Sequence, residues 1–161
     1  RIVTAGPDTA VVEVWDRDWR YSNRTLQMTQ RYTAVRGQRD VLVDIHLEGD
    51  LDGLLFATGA QKLESGNTGF AQPSGLVASW GSNIPDKAHP ELVETLGIAV
   101  RVEPQYLVVV KEDELNYLCI VRPVEGHIRY RFYVASDMQQ DGGFHSAEAW
   151  FEWVKRQIPA K

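Results

Sequence analysis

An arginine, an aspartate and a histidine lie on one side of a predicted strand pair. The stretch "QMTQRYTAVRGQRDVLVDIHLEG" (27–49) alternates polar and apolar residues on both sides of the turn "RGQR", and Arg31, Asp44 and His46 have matching parity. An arginine can bind a carboxylate, and a histidine can move a proton near neutral pH. We therefore predict that this polar side of the hairpin faces a ligand. An alternative remains open, in which Arg31 pairs with Asp44 and His46 is only partly exposed.

Aromatic residues give a second indication of a ligand. The chain has five tryptophans and six tyrosines, and we do not expect all of them to fit into a single core. An exposed aromatic ring can stack on the apolar face of a sugar ring. Trp80 ends a predicted strand and opens into a glycine-bearing loop, so we predict that it contacts a substrate. The alternative is that Trp80 belongs to the core, as most of these aromatics do.

The sequence predicts no metal site and no other cofactor. The four histidines lack ligand spacing, and Cys119 is alone in the apolar run "NYLCIV", which excludes an internal disulfide and indicates a buried, inert thiol. A structural calcium ion stays open as an alternative, because the acidic turns 50–52 and 112–114 contain oxygen ligands. Acidic turns in solvent explain the same pattern more simply.

Composition bounds the class of protein. The chain has 161 residues and a net charge of -5, which argues against nonspecific nucleic-acid binding. At 43% hydrophobic residues it can bury a sizeable core, and no apolar run is long enough to predict a membrane span. We expect one domain over 1–161. Because the first residue is arginine, we also expect the chain to be processed or excised from a longer protein.

The hairpin belongs to a chain that reads mostly as strands. We predict strands over 9–19, 24–35, 40–49, 51–59 and 76–81, loops over 60–75 and 82–95, and four more strands between 96 and 136. The roughly ten-residue spacing with turns between strands is typical of an antiparallel sandwich. Residues 146–158 instead show an apolar helical stripe, with Ser146 as N-cap and Pro159 as the stop. The fold class is therefore predicted as mainly β, an antiparallel β-sandwich with one C-terminal α-helix that packs on it.

Several stretches resemble a bacterial family catalogued as a domain of unknown function. They are "RIVTAGPDTAVVEVWDRDW", "TLQMTQRYTAVRGQRDVLVDIHLEG", "LLFATGAQKLES", "LVASWG", "LGIAVRV" and "HIRYRFYVASDMQQDGGFHSAEAWFEWV". The resemblance implies a secreted or periplasmic protein encoded near genes for polysaccharide breakdown. It also implies a supersandwich similar to galactose-mutarotase-like and polysaccharide-lyase domains, and that this chain is the C-terminal part of a longer protein. Where we expect "TG-x-x-KH", this chain has Leu63 in place of the histidine, while Lys62 is retained.

Together the residues and the resemblance suggest a protein that acts on uronic-acid-containing polysaccharide, by lyase-type β-elimination. Elimination needs a base, an acid and a cation that neutralises the carboxylate. In this hypothesis Arg31 and Lys62 neutralise charge and His46 is the base or acid. The substrate-binding residues would be Trp80, Asp44 and Arg129. The alternative is a noncatalytic carbohydrate-binding or accessory domain. The expected partners are an oligo- or polysaccharide and the N-terminal part of the same protein, with no nucleic acid and no membrane.

Overall fold

Two antiparallel sheets and one helix make up the fold. The computed structural model describes residues 1–83, 88–89 and 91–157, and within them 11 strands and one helix are found. Strands account for 61% of the described residues, in agreement with the predicted fold class. The elements are β1 (Ile2–Ala5), β2 (Thr9–Tyr21), β3 (Arg24–Val35), β4 (Asp40–Glu48), β5 (Phe56–Gln61), β6 (Ser65–Gln72), β7 (Leu76–Asn83), β8 (Glu94–Val102), β9 (Leu107–Glu112), β10 (Asn116–Val121), β11 (His127–Ser136) and α1 (Ala147–Arg156).

The large sheet has eight strands in the order β1-β2-β3-β4-β11-β8-β7-β6, and the small sheet has three in the order β5-β10-β9. The small sheet packs on what we call the inner face of the large sheet. This interface buries one apolar cluster, because alternate residues of both sheets point into it. Its members are Leu47, Ala60, Val77, Val100, Val102, Tyr106, Tyr117, Cys119, Val121 and Ile128. Burial raises the pKa of the Cys119 thiol to about 12, so this thiol is inert at neutral pH.

The helix packs on the opposite, outer face of the large sheet, over β7 and β8. Trp150 is fully buried there, and its Nε1 donates to the carbonyl of Ser79 over 3.1 Å. The predicted N-cap is confirmed, since Ser146 Oγ accepts from the amide of Ala149 over 3.2 Å. Ile158 and Pro159, which the prediction placed at the end of the helix, lie outside the described residues.

The predicted hairpin is confirmed as β3 and β4. Thr29 lies opposite His46 and Arg31 opposite Asp44, so these side chains share the outer face. Gly37 in the connecting turn has φ of 78°, a conformation that glycine adopts without strain. The residues of opposite parity face inward, toward the small sheet.

Two predicted boundaries were wrong. The loop predicted over 60–75 contains strand β6, and the strand predicted from 51 begins only at Phe56. The glycine and serine content of β6 indicated a loop. At Gly69, however, glycine is required by the packing of the sheets, because a side chain has no room there. A Cβ on Gly69 would lie 2.4 Å from the ring of Tyr117. Strand β1 was also absent from the prediction.

Candidate functional site

Strand register assembles charged and aromatic side chains on the outer face of β2, β3, β4 and β11. Two neighbouring rows cross these four strands, and together we call them the charged face. The first row is Glu13, Arg31, Asp44 and Arg129. The second row is Trp15, Thr29, His46 and His127. Adjacent strands are about 4.8 Å apart, so each row spans roughly 15 Å.

Glu13 holds two arginines at one end of the first row. Its Oε1 accepts from Arg31 Nη2 over 2.6 Å and from Nε over 3.0 Å, and its Oε2 accepts from Arg1 Nη2 over 2.6 Å. Hydrogen bonds from Arg31 and then from Arg1 hold the pKa of the Glu13 carboxyl below its ordinary value. Glu13 is therefore ionised at neutral pH, although it is only 7% exposed.

Asp44 holds Arg129 at the other end of this row. Its Oδ2 accepts from Arg129 Nη2 over 2.6 Å and from Nε over 3.2 Å, while its Oδ1 lies 3.3 Å from His127 Nδ1. Burial acts to raise the pKa of Asp44, but the hydrogen bonds from Arg129 and His127 outweigh it, so the pKa lies below its ordinary value. The alternative pairing considered from the sequence was wrong, because Arg31 binds Glu13 and Asp44 binds Arg129.

Two histidines stack in the second row. The rings of His46 and His127 have centroids 4.7 Å apart and an interplanar angle of 25°. His46 Nδ1 also lies 3.6 Å from Glu48 Oε1, and His127 has Asp44 as described above. Each ring thus has its own carboxylate neighbour, and both side chains are close to half exposed. The pair can exchange protons with a ligand held above it.

Trp15 begins the second row and is 43% exposed. The guanidinium of Arg1 lies 5.9 Å from its ring centroid. Trp15 is two strands from His46, a separation of about 10 Å. An open aromatic surface therefore lies beside the cations of the charged face.

Lys62 and Trp80 lie away from this face. Lys62 Nζ donates to Glu112 Oε1 over 2.6 Å and to the carbonyl of Asp113 over 2.8 Å, and it lies 5.0 Å from the ring centroid of Tyr117, at the edge of the interface between the two sheets. The hydrogen bond to Glu112 raises the pKa of Lys62. Trp80 is only 7% exposed, because it packs beneath α1 in the same cluster as Trp150. The prediction of an exposed Trp80 platform is therefore wrong.

A second concave region lies on the inner face. Two adjoining cavities of about 300 Å³ and 230 Å³ share Trp19, Phe56 and Ala57 in their walls. Trp19 and Phe56 pack with ring centroids 5.9 Å apart, and Tyr21 is 55% exposed at the rim. The lining is mostly apolar and carries no cation, so it does not suit an acidic ligand.

Sequence reasoning found Arg31, Asp44, His46 and Arg129 but missed Glu13, Trp15 and His127 as members of one face. The alternation of "HIRYRF" at the start of β11 does carry a signal, since His127, Arg129 and Arg131 alternate with apolar residues. It became informative only with the pairing of β11 and β4. In the described residues no group of three His, Cys, Asp or Glu side chains is placed to hold a metal ion, and no helix is long and apolar enough to cross a membrane.

The geometry gives the charged face two chemical abilities. It can donate charge-assisted hydrogen bonds to an anion, and it can stack an aromatic ring on an apolar surface of the same ligand. No curated protein and no solved structure was found to match the chain. A family model does match, over residues 1–159, and the chain therefore belongs to the family described as "Domain of unknown function (DUF4861)".

Proposed function

We propose that the protein binds an acidic, uronic-acid-containing oligo- or polysaccharide on the charged face, as a noncatalytic carbohydrate-binding β-sandwich. The observation that carries this proposal is the position of exposed Trp15 in one row with His46 and His127, directly beside the row of Arg31 and Arg129. An aromatic surface takes the apolar side of a sugar ring, while cations take its carboxylate.

Arg31 and Arg129 are oriented by their ion pairs and still have free donors for such a ligand. Arg31 and Arg129 each use Nε and Nη2 to bind their carboxylates, and their side chains remain 54% and 43% exposed. A guanidinium has five N–H donors, so each pair leaves donors that a ligand can use. The existing ion pairs fix the orientation of the guanidinium groups, which reduces the entropy lost on binding.

The cellular setting is part of the same proposal. The resemblance described above implies a secreted or periplasmic protein that works with polysaccharide breakdown and has a mutarotase-like or lyase-like supersandwich. A protein that binds a polymeric acidic glycan meets its ligand outside the cytoplasm. Fractionation of the native host should then recover the protein in the periplasm or the medium.

Calorimetric titration with a panel of uronic-acid oligosaccharides and their neutral counterparts tests the binding. We expect the acidic ligands to bind more tightly and to lose affinity as salt is added, because exposed charges are screened. Trp15→Ala should weaken binding about tenfold, equivalent to about 1.4 kcal/mol. Tyr21→Ala is the matched control, since it removes another exposed aromatic ring that lies away from the charged face.

Two results would contradict the proposal. One is equal affinity for acidic and neutral oligosaccharides. The other is an equal loss of affinity in Trp15→Ala and Tyr21→Ala, which would show that the bound sugar does not discriminate between the two surfaces.

A polysaccharide lyase is the second candidate function. It is supported by the stacked His46 and His127, each with a carboxylate neighbour, on the same face as Arg31. These groups supply the base, the acid and the neutralising cation that elimination requires. Lys62 and Trp80 take no part in this version, because both lie elsewhere. Ultraviolet absorbance of the unsaturated product is the test, and activity that survives both His46→Ala and His127→Ala would contradict it.

A further inference from the structure

Arg101 lies on the outer face and has no ion-pair partner in the described part of the chain. It lies in β8 directly opposite Arg131 in β11, one row beyond the charged face. Like charges in directly opposite positions destabilise a sheet. Asp40 reaches this pair and binds Arg131 Nη1. Among the residues that the structure describes, no carboxylate binds Arg101.

The surroundings of Arg101 strengthen this observation. Its Nε is buried and has no hydrogen-bond partner, which is costly for a charged donor. Burial lowers the pKa of Arg101, and a weaker attraction to Tyr133 opposes this. A guanidinium loses its charge only far above physiological pH, so the group stays charged, and none of the described carboxylates compensates it.

Tyr133 adds a neutral donor to the same place. Its ring is 3% exposed and packs edge-on against Trp153, with centroids 5.7 Å apart. Asp40, Arg101 and Arg131 all act electrostatically on its hydroxyl. Within residues 1–83, 88–89 and 91–157 this hydroxyl has no hydrogen bond. It is therefore available to a ligand that reaches Arg101.

Three arginines meet at this place. Arg129 lies two positions from Arg131 on the same strand face, so the guanidinium groups of Arg101, Arg129 and Arg131 are neighbours. Asp40 binds Arg131, Asp44 binds Arg129, and Glu103 also acts electrostatically on Arg129. The carboxylates therefore offset the other two arginines, and within the described part of the chain Arg101 is left without a bound carboxylate. An anion bound between Arg101 and Arg131 would remove both the repulsion and the unpaired charge.

We infer that Arg101, Arg131 and the hydroxyl of Tyr133 form an oxyanion-binding site that takes a carboxylate or a sulfate group. The site follows from these contacts alone. That the bound group is the carboxylate or sulfate ester of a glycan rests on the proposed function. In that case the site would hold one acidic group of the glycan, while the charged face holds the next part of the same ligand.

Arg101→Met separates this role from a purely structural one. Methionine keeps an unbranched stem that can cover the apolar surface near Leu76, but it removes the charge. Without an anion, Arg101→Met should be at least as stable as the parent, because an unpaired charge has been removed. If the Arg101 side chain served only to pack against its neighbours, Arg101→Met would have the same stability as the parent and unchanged anion binding.

Inorganic sulfate is the probe, and the thermal unfolding midpoint is the measurement. Sulfate stabilises proteins in general because it is excluded from their surface, and this raises the unfolding midpoint without saturation. Binding at a site adds a rise that saturates with sulfate concentration, and this saturable rise should disappear in a variant that lacks the site. The parent and the control Arg122→Met, an exposed arginine outside the site, should show a saturable rise. Arg101→Met should lose it. A full saturable rise in Arg101→Met, or equal unsaturable shifts in all three proteins, would overturn the inference.

Calorimetric titration of the same proteins with a uronic-acid oligosaccharide separates the two proposals. Loss of sulfate binding in Arg101→Met without glycan binding to any protein would support the site and refute the glycan function. Glycan binding that is equal in the parent and in Arg101→Met, without saturable sulfate binding, would refute the site and leave the glycan function standing. A tenfold loss of glycan affinity in Arg101→Met, together with lost sulfate binding, would support both.

Discussion

The outer face of the large sheet has a covered half and an open half. The covered half lies beneath α1, and its sheet residues are Ala78, Trp80, Gly97, Ala99, Tyr133 and Ala135. The open half is the charged face on β2, β3, β4 and β11. Both halves belong to one continuous sheet surface with the same side-chain parity. What differs is the size and charge of the side chains, and this difference decides which half is available to a ligand.

Small residues on the covered half leave space in which aromatic rings pack. A Cβ on Gly97 would lie 2.7 Å from the ring of Trp150, so the indole occupies the space of the missing side chain. On the open half, a helix would have to remove water from the ion pairs of Glu13 and Asp44, and desolvation of charges is costly. The charged side chains therefore keep that half exposed to solvent, and the same side chains can bind a charged ligand.

The largest expected effect comes from truncating a tryptophan on each half. Trp150→Ala should lower the free energy of unfolding by about 3–5 kcal/mol, because it leaves a cavity between helix and sheet. Trp15→Ala removes a ring that is 43% exposed and should cost less than about 1 kcal/mol. Urea denaturation of both variants measures the contrast. Similar losses in the two would mean that the halves do not differ in packing.

Sequence reasoning could predict local parity but could not predict long-range neighbours. The face of Arg31 and His46 was predictable because one tight turn joins their strands. The bond between Arg129 and Asp44 joins residues 85 positions apart, and only the pairing of β4 with β11 brings them together. Trp80 shows the same limit, since strand pattern does not reveal which face a distant helix covers.

An intermediate effect is expected from Asp44→Asn, and it should depend on pH. Because the pKa of Asp44 is lowered in the folded protein, its stabilising contribution is present above the unfolded pKa, near 4, and is lost as pH falls through the folded value. At neutral pH the variant should be less stable by about 0.5–1 kcal/mol. Urea unfolding midpoints measured from neutral to acid pH should show the difference between parent and variant closing.

Trp150→Ala is the control for this pH dependence, because no titratable group is changed. Its loss of stability should persist across the same range. A loss in Asp44→Asn that is likewise independent of pH would show that Asp44 stabilises by packing, and the contrast between a charged half and a packed half would fail.

The smallest effect is expected from Lys62→Met, which lies on neither half. The ion pair of Lys62 with Glu112 is at the edge of the interface between the two sheets, and Glu112 is more than half exposed, so solvent and salt screen it. The unfolding midpoint and the affinity for a uronic-acid oligosaccharide should both stay within error of the parent. Arg31→Met should lower the affinity while Lys62→Met does not. An equal loss in the two would mean that the ligand also contacts the edge of the interface between the sheets, and the open half of the outer face would then be only part of the binding surface.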